Sequence, residues 1–320
     1  MSTEGGTRAV VAALLANTGI AVTKFVAAAI SGSASMLAEG VHSVADAGNQ
    51  VLLLVGGRRS RKAADAEHPF GYGRERYVFA FVVAIILFSV GGMFSLYEGI
   101  HKLEAHEELN LPWIPLVVLA VAIVLESFSL RTAVIESNKS RGSEGWVAFI
   151  RHAKQPELPV ILLEDIAALL GLVFAFAGVG LSLLTGDVIW DAIGTIAIGV
   201  LLVVVAIVLG IETKSLLVGE GANRTDVEKI RAAFNSSPRV EALIHMKTQY
   251  LGPDELLVAA KVAFPRTTKI ADVARTINEV EAEIREAVPV ARVIYIEPDI
   301  YLPSGKGAPS TDAIVIRGAD

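Results

Sequence analysis

The chain has no cysteine among its 320 residues. Disulfides, thiolate zinc sites and thiol redox centres are therefore excluded, and any metal must be held by His, Asp, Glu or backbone oxygen. Charge is scarce too: Asp, Glu, Lys and Arg make up 19% of the residues, with a net charge of −6. That leaves no basic footprint for nucleic acid. Against these shortages, 53% of the residues are hydrophobic and the mean hydropathy is +0.54. Such a chain is too apolar for an ordinary soluble enzyme and points to bilayer-spanning segments in contact with membrane lipid. The opening Met1-Ser-Thr-Glu-Gly-Gly6 carries no basic run, and the apolar stretch after it is long enough to span. It reads as a retained helix rather than a cleaved signal.

Six stretches approach or exceed the ~20 residues needed to cross a hydrocarbon core. They run from about Ala9 to Ser31, Met36 to Gly57, Tyr77 to Ile100, Pro112 to Val134, Pro159 to Leu184 and Val188 to Ile211. Asn17, His42, Asp46, Asp165 and Asp191 fall inside them, which lipid would tolerate badly unless those groups face a bundle interior. Two loops hold most of the basic residues near the membrane: Arg58, Arg59, Arg61, Lys62, Arg74 and Arg76 in one, and Arg131, Lys139, Arg141, Arg151 and Lys154 in the other. The opposite connections are basic-poor, with Lys102 outnumbered by Glu104, Glu107 and Glu108. The positive-inside rule then predicts cytoplasmic N and C termini, and a bacterial plasma membrane is the simplest host.

After Ile211 the sequence becomes soluble in character. A helix is predicted from Thr225 to Asn235, strands from Leu243 to Tyr250 and Leu256 to Phe264, a hairpin turn at Gly252-Pro253-Asp254-Glu255, a second helix from Lys269 to Ala287, and a last strand from Arg292 to Ile300. Ile270, Val273, Ile277, Val280 and Ile284 form the apolar stripe of the second helix. The expected fold is an all-α membrane bundle of six transmembrane helices followed by a small α+β domain of order α-β-β-α-β, ferredoxin-like. The parts are a tail at 1–8, the membrane domain at 9–213, the C-terminal domain at 214–302 and a disordered tail at 303–320.

The second stretch carries Glu39, His42 and Asp46. A spacing of four places the imidazole and the Asp46 carboxylate one turn apart on the same face, a chelating arrangement of nitrogen and oxygen suited to zinc, with Mn, Fe, Co and Ni as alternatives. The fifth stretch offers Glu164 and Asp165. Adjacent helical residues point about 100° apart, so both are not expected on one ion. Glu39, one turn before His42, suits an entry ligand or a packing contact. Asp191 suits a hydrogen bond to Asn17 or another polar neighbour ahead of a part in the ion pathway or helix coupling, and His101, His106 and His152 read as solvated or interfacial residues rather than ligands.

The run Ser33-Ala-Ser-Met-Leu-Ala-Glu-Gly-Val-His42-Ser-Val-Ala-Asp46, with His68-Pro-Phe-Gly-Tyr-Gly-Arg-Glu-Arg76 after it, resembles the cation diffusion facilitator family of metal/proton antiporters. The resemblance covers about residues 9–300. It implies a homodimer, held by the C-terminal domains, that exports a divalent metal from the cytoplasm, zinc first, with protons as counter-ion and no cofactor or enzymatic role. His42 and Asp46 match the span-two ligands. On span five Asp165 matches the family's Asp, but Ile161 stands where the family has His, so Glu164, Glu39 or water is left to supply the fourth donor. Asp65 and His68 match a second site in the loop, where Tyr72 replaces an expected His. In the C-terminal domain His245 and Glu297 remain, while Ala260 and Tyr295 occupy other ligand positions. The competing readings are a Mn, Fe or Co exporter, a membrane metal sensor that does not transport, and a membrane metallohydrolase; the last lacks a placed general base and a His-Glu-x-x-His helix.

Overall fold

A computed structural model describes residues 18–105, 111 and 113–300. The predicted N-terminal and C-terminal tails, Asn17 and His106 lie outside that set. The chain divides into two compact units between Gly219 and Glu220.

The first unit is helical: α1 (Thr18–Ser31), α2 (Ala34–Arg59), α3 (Glu75–Ile86), a π-helical turn (Leu87–Met93) running on into α4 (Phe94–Ala105), α5 (Trp113–Arg141), the short α6 (Trp146–His152), α7 (Glu157–Thr185) and α8 (Ile189–Val218). Four rods are long and apolar enough to cross a membrane: Glu75–Glu104, α5, α7 and α8. The chain is an integral, multi-pass membrane protein. α2 is long enough, at 26 residues, but carries Glu39, His42, Asp46 and Asn49. The described part of α1 is shorter than a span.

Several helices outrun their hydropathy. α5 continues past Val134 to Arg141 and α8 past Ile211 to Val218, because apolarity marks the edge of the hydrocarbon and not the end of helical backbone. Lys139 and Arg141 in the last turn of α5 complement its dipole. α7 stops at Gly186, which takes the left-handed conformation (φ 72°) and donates its N–H to the Ser182 carbonyl. Leu87, Leu119, Val160, Leu172, Ile198 and Leu202 form the centre of the bundle, while Val117, Val121, Val124 and Phe128 of α5 stay exposed. Apolar side chains pointing both inward and outward are what a helix facing neighbours on one side and lipid on the other requires.

The second unit contains α9 (Arg224–Ser236), β1 (Ala242–Gly252), β2 (Glu255–Ala263), α10 (Ile270–Ala287) and β3 (Val293–Asp299). Asn223 caps α9, its side-chain oxygen accepting from the Asp226 N–H at 2.7 Å. The sheet order is β1-β2-β3, antiparallel between β1 and β2 and parallel between β2 and β3. The predicted order of elements is found. The described residues supply three strands, one fewer than a βαββαβ ferredoxin-like sheet. Alternate residues Leu256, Val258, Ala260 and Val262 of β2 are buried against Ile230 and Phe234 of α9 and Val280 and Ile284 of α10. Ile270 departs from the expected stripe. It opens α10 and is 79% exposed.

Candidate metal site

The start of α2 is fixed by two neighbours. Ser33 caps it, accepting from the Met36 N–H, and the fully buried Asp191 of α8 accepts from Ser33 Oγ at 2.8 Å, the Ala34 N–H at 2.8 Å and the Ser35 N–H at 3.3 Å. A carboxylate against the free N–H groups and positive dipole end of a helix is a stabilising pair. This is the structural role expected of Asp191, with α2 as the partner.

From that anchored end, Glu39, His42, Asp46 and Asn49 fall on one stripe of α2 about 80° wide. Glu39, His42 and Asn49 are buried and Asp46 is partly so. His42 Nε2 stands 3.4 Å from Asp46 Oδ2. Neither ring nitrogen of His42 has a hydrogen-bond partner, and Asp46 Oδ1 is likewise buried without one. The π-helical turn passes close by: a Cβ at Gly91 would lie 3.9 Å from His42 Nδ1. Such turns inside helices recur at functional sites.

Glu164 and Asp165 diverge as neighbours on a helix must. Glu164 turns to α2, where Asn49 Nδ2 donates to its Oε1 at 2.7 Å. Asp165 turns to α5, where Ser129 Oγ donates to its Oδ2 at 3.0 Å. Glu39 faces α1 instead, its Oε2 3.0 Å from Lys24 Nζ, which also donates to Ser43 Oγ at 2.8 Å. Among the described residues, no three His, Asp or Glu side chains already surround one point at ligating distance.

Two participants escaped the sequence reading. Lys24, on α1, is 4% exposed and pairs with Glu39. Glu126, on α5, is close enough to Asp165 and Asp46 for their charges to act on it. Both lie inside the first and fourth apolar stretches, so the rule that singled out His42 and Asp165, an ionisable group within a span, applies to them as well.

A family model described as the cation efflux transmembrane domain matches residues 10–218, and one described as the cytoplasmic domain of cation efflux proteins matches residues 222–299. The chain belongs to the cation efflux, or cation diffusion facilitator, family. It is 32% identical to the mitochondrial proton-coupled zinc antiporter SLC30A9 of Xenopus laevis over 75% of its own length and 44% of the relative's. It is 32% identical to metal tolerance protein C4 of Arabidopsis thaliana over 80% of the chain and 57% of that protein. Identity to the magnetosome protein MamB of Magnetospira sp. strain QH-2 is 24%, over 85% of the chain and 89% of the relative. The chain thus spans less than half the length of the SLC30A9 relatives it matches.

Ile161, one turn before Asp165 on α7 of this cation efflux family member, packs against the apolar core. At the loop position, Asp65 is occupied by its own turn. Its Oδ1 accepts from the N–H groups of Glu67 and His68 at 3.1 and 2.8 Å, and its Oδ2 accepts from Tyr72 Oη at 2.6 Å and Lys62 Nζ at 3.0 Å. Those contacts, the Tyr72 hydroxyl first, hold its carboxyl well below the usual carboxylate range. His68 Nδ1 lies 3.4 Å from Asp65 and its ring stands 4.3 Å from that of Tyr72. In the C-terminal unit, the register sets His245 opposite Lys261 and Lys261 opposite Glu297. The Lys261 ammonium meets Glu297 at 3.1 Å and Asp299 at 2.9 Å. A fixed cation therefore stands in the row between His245 and Glu297. His101 stacks with Tyr97 at 6.0 Å between ring centroids.

Proposed function

We propose that this protein exports a divalent metal ion from the cytoplasm in exchange for protons, with zinc as the first substrate and His42, Asp46 and Asp165 as the central ligands. The observation that carries the reading is His42. A buried imidazole with two unpartnered nitrogens, beside a carboxylate oxygen in the same condition, leaves polar groups unsatisfied at a cost of roughly 1–3 kcal/mol each, which a bound cation would offset. The surroundings are rich in carboxyl groups. Glu39, Asp46, Glu126, Glu164 and Asp165 share the interior with the Lys24 ammonium. Such a set calls for balancing positive charge, from metal or from protons. Because ligands must be deprotonated to bind metal, one excludes the other, and that competition is the basis of exchange.

Nitrogen with carboxylate oxygen suits zinc, in line with the SLC30A9 relatives, which are named as proton-coupled zinc antiporters. The excess of oxygen donors keeps manganese, iron and cobalt as alternative substrates. In this reading α1 and α2 join the four apolar rods as six spans. Both termini then face the cytoplasm of a bacterial plasma membrane, and alternating access comes from rocking of helices about the midplane. Residues 9–213 form the transport domain and 214–302 a ferredoxin-like cytoplasmic domain that holds a homodimer. No catalytic step is assigned to it.

Zinc uptake into proteoliposomes under an imposed pH gradient tests this, comparing the parent with Asp46→Ala and adding Mn, Fe and Co as competitors. Gradient-dependent uptake lost in the variant supports antiport through the α2 site. Zinc bound without flux of any ion from folded protein would sink transport in favour of a sensor.

A further inference from the structure

We infer that Glu126 of α5 is the carboxylate that completes the metal-binding set of His42, Asp46 and Asp165. This rests on the metal-transport reading above. The set is one donor short, because the position one turn before Asp165 is the hydrocarbon of Ile161. The two acids that could fill the gap from α2 and α7 are already committed. Glu39 is paired with Lys24 at 3.0 Å with both side chains buried, and its other oxygen is packed so closely on α7 that a Cβ at Gly171 would lie 2.6 Å from it. Drawing Glu39 towards a metal would strand an ammonium in the bundle interior. Glu164 holds the Asn49 amide at 2.7 Å.

Glu126 has no such commitment. No hydrogen bond or ion pair holds its carboxylate, among the described residues. Its placement follows from Ser129. That hydroxyl reaches Asp165, so this face of α5 looks at the ligand carboxylate, and a residue three positions earlier lies on the same face, one turn away. Glu126 is partly buried there, with the charges of Asp165 and Asp46 both acting on it. The ligand these acids await is indicated separately by His42, which is 1% exposed with both nitrogens unpartnered and stands 3.4 Å from Asp46. One imidazole and three carboxylates make an oxygen-rich shell. It holds zinc, and it accepts manganese better than a shell with a second imidazole would.

The test uses the purified full-length chain in detergent, with zinc and manganese affinities measured by competition against a fluorescent chelator. Glu126→Gln, which keeps shape and removes the anionic donor, is expected to weaken zinc by about tenfold or more. Glu126→His, which puts a donor back, is expected to restore zinc to within about threefold and to bind manganese more weakly than the parent does. Zinc affinity in Glu126→Gln within about twofold of the parent, while Asp46→Asn abolishes binding, would overturn the assignment. So would equal losses in Glu126→Gln and Glu126→His, since the effect would then be packing and not coordination. A parent chain that binds no divalent metal would instead remove the transport reading, and this inference with it.

Discussion

Replacing Lys24 by Met should destabilise the membrane unit far more than loss of a surface ion pair would. Lys24 and Glu39 are 4% and 0% exposed and sit 3.0 Å apart. In that setting, removing one partner leaves an uncompensated buried charge, which costs about 3–5 kcal/mol, against roughly 0–1 kcal/mol for an exposed pair. Lys24→Met leaves the Glu39 carboxylate with neither oxygen hydrogen-bonded, since Oε1 already lacks a partner. Glu39→Gln leaves the ammonium with Ser43 alone. The double variant Lys24→Met/Glu39→Gln removes both charges together, so it should be more stable than either single one. The measurement is equilibrium unfolding in mild detergent, followed by tryptophan fluorescence, for all four proteins. A coupling of at least about 2 kcal/mol between the two positions is expected. Singles that each cost under about 1 kcal/mol, with additive effects in the double, would mean that the pair is solvated and not a buried ion pair.

Asp191→Ala should cost about 2 kcal/mol or more, since it removes a fully buried acceptor of three hydrogen bonds at the start of α2. Thermal unfolding of the detergent-solubilised chain checks this, and an unchanged midpoint would show that α2 is not anchored there. In the loop between α2 and α3, the depressed pKa of Asp65 stabilises the turn above the unfolded carboxylate value of about 3.9, and this is lost only as pH falls through the much lower folded value. Tyr72→Phe removes the largest cause of that depression. Amide exchange at Glu67 and His68 should therefore lose protection nearer pH ~4 in the variant than in the parent, and coincident acid transitions would count against the hydroxyl's role. Asn49→Ala should free Glu164 and destabilise by about 1–3 kcal/mol through the stranded carboxylate, measured by the same unfolding assay; a neutral result would mean that water replaces the amide.

The material of each element was legible in the order of its residues. Long apolar runs marked the membrane rods, and period-two alternation with Gly252-Pro253-Asp254-Glu255 marked the β1–β2 hairpin. The stripe of Glu39, His42 and Asp46 was legible too, because residues three, four and seven apart share a helical face whatever surrounds the helix. Tertiary structure decided everything that depends on how one helix is turned against another. It separated Glu164, which faces Asn49, from Asp165, which faces Ser129. It set Lys24 against Glu39, gave Asp191 the N-terminus of α2 as its partner, and inserted Lys261 between His245 and Glu297. The physical reason is one of range. Periodicity fixes angles within a single helix or strand, whereas the rotation of neighbouring helices and the register of strands are fixed by side-chain packing and hydrogen bonds between separate elements, which at Ser33 and Asp191 lie 158 positions apart in the chain.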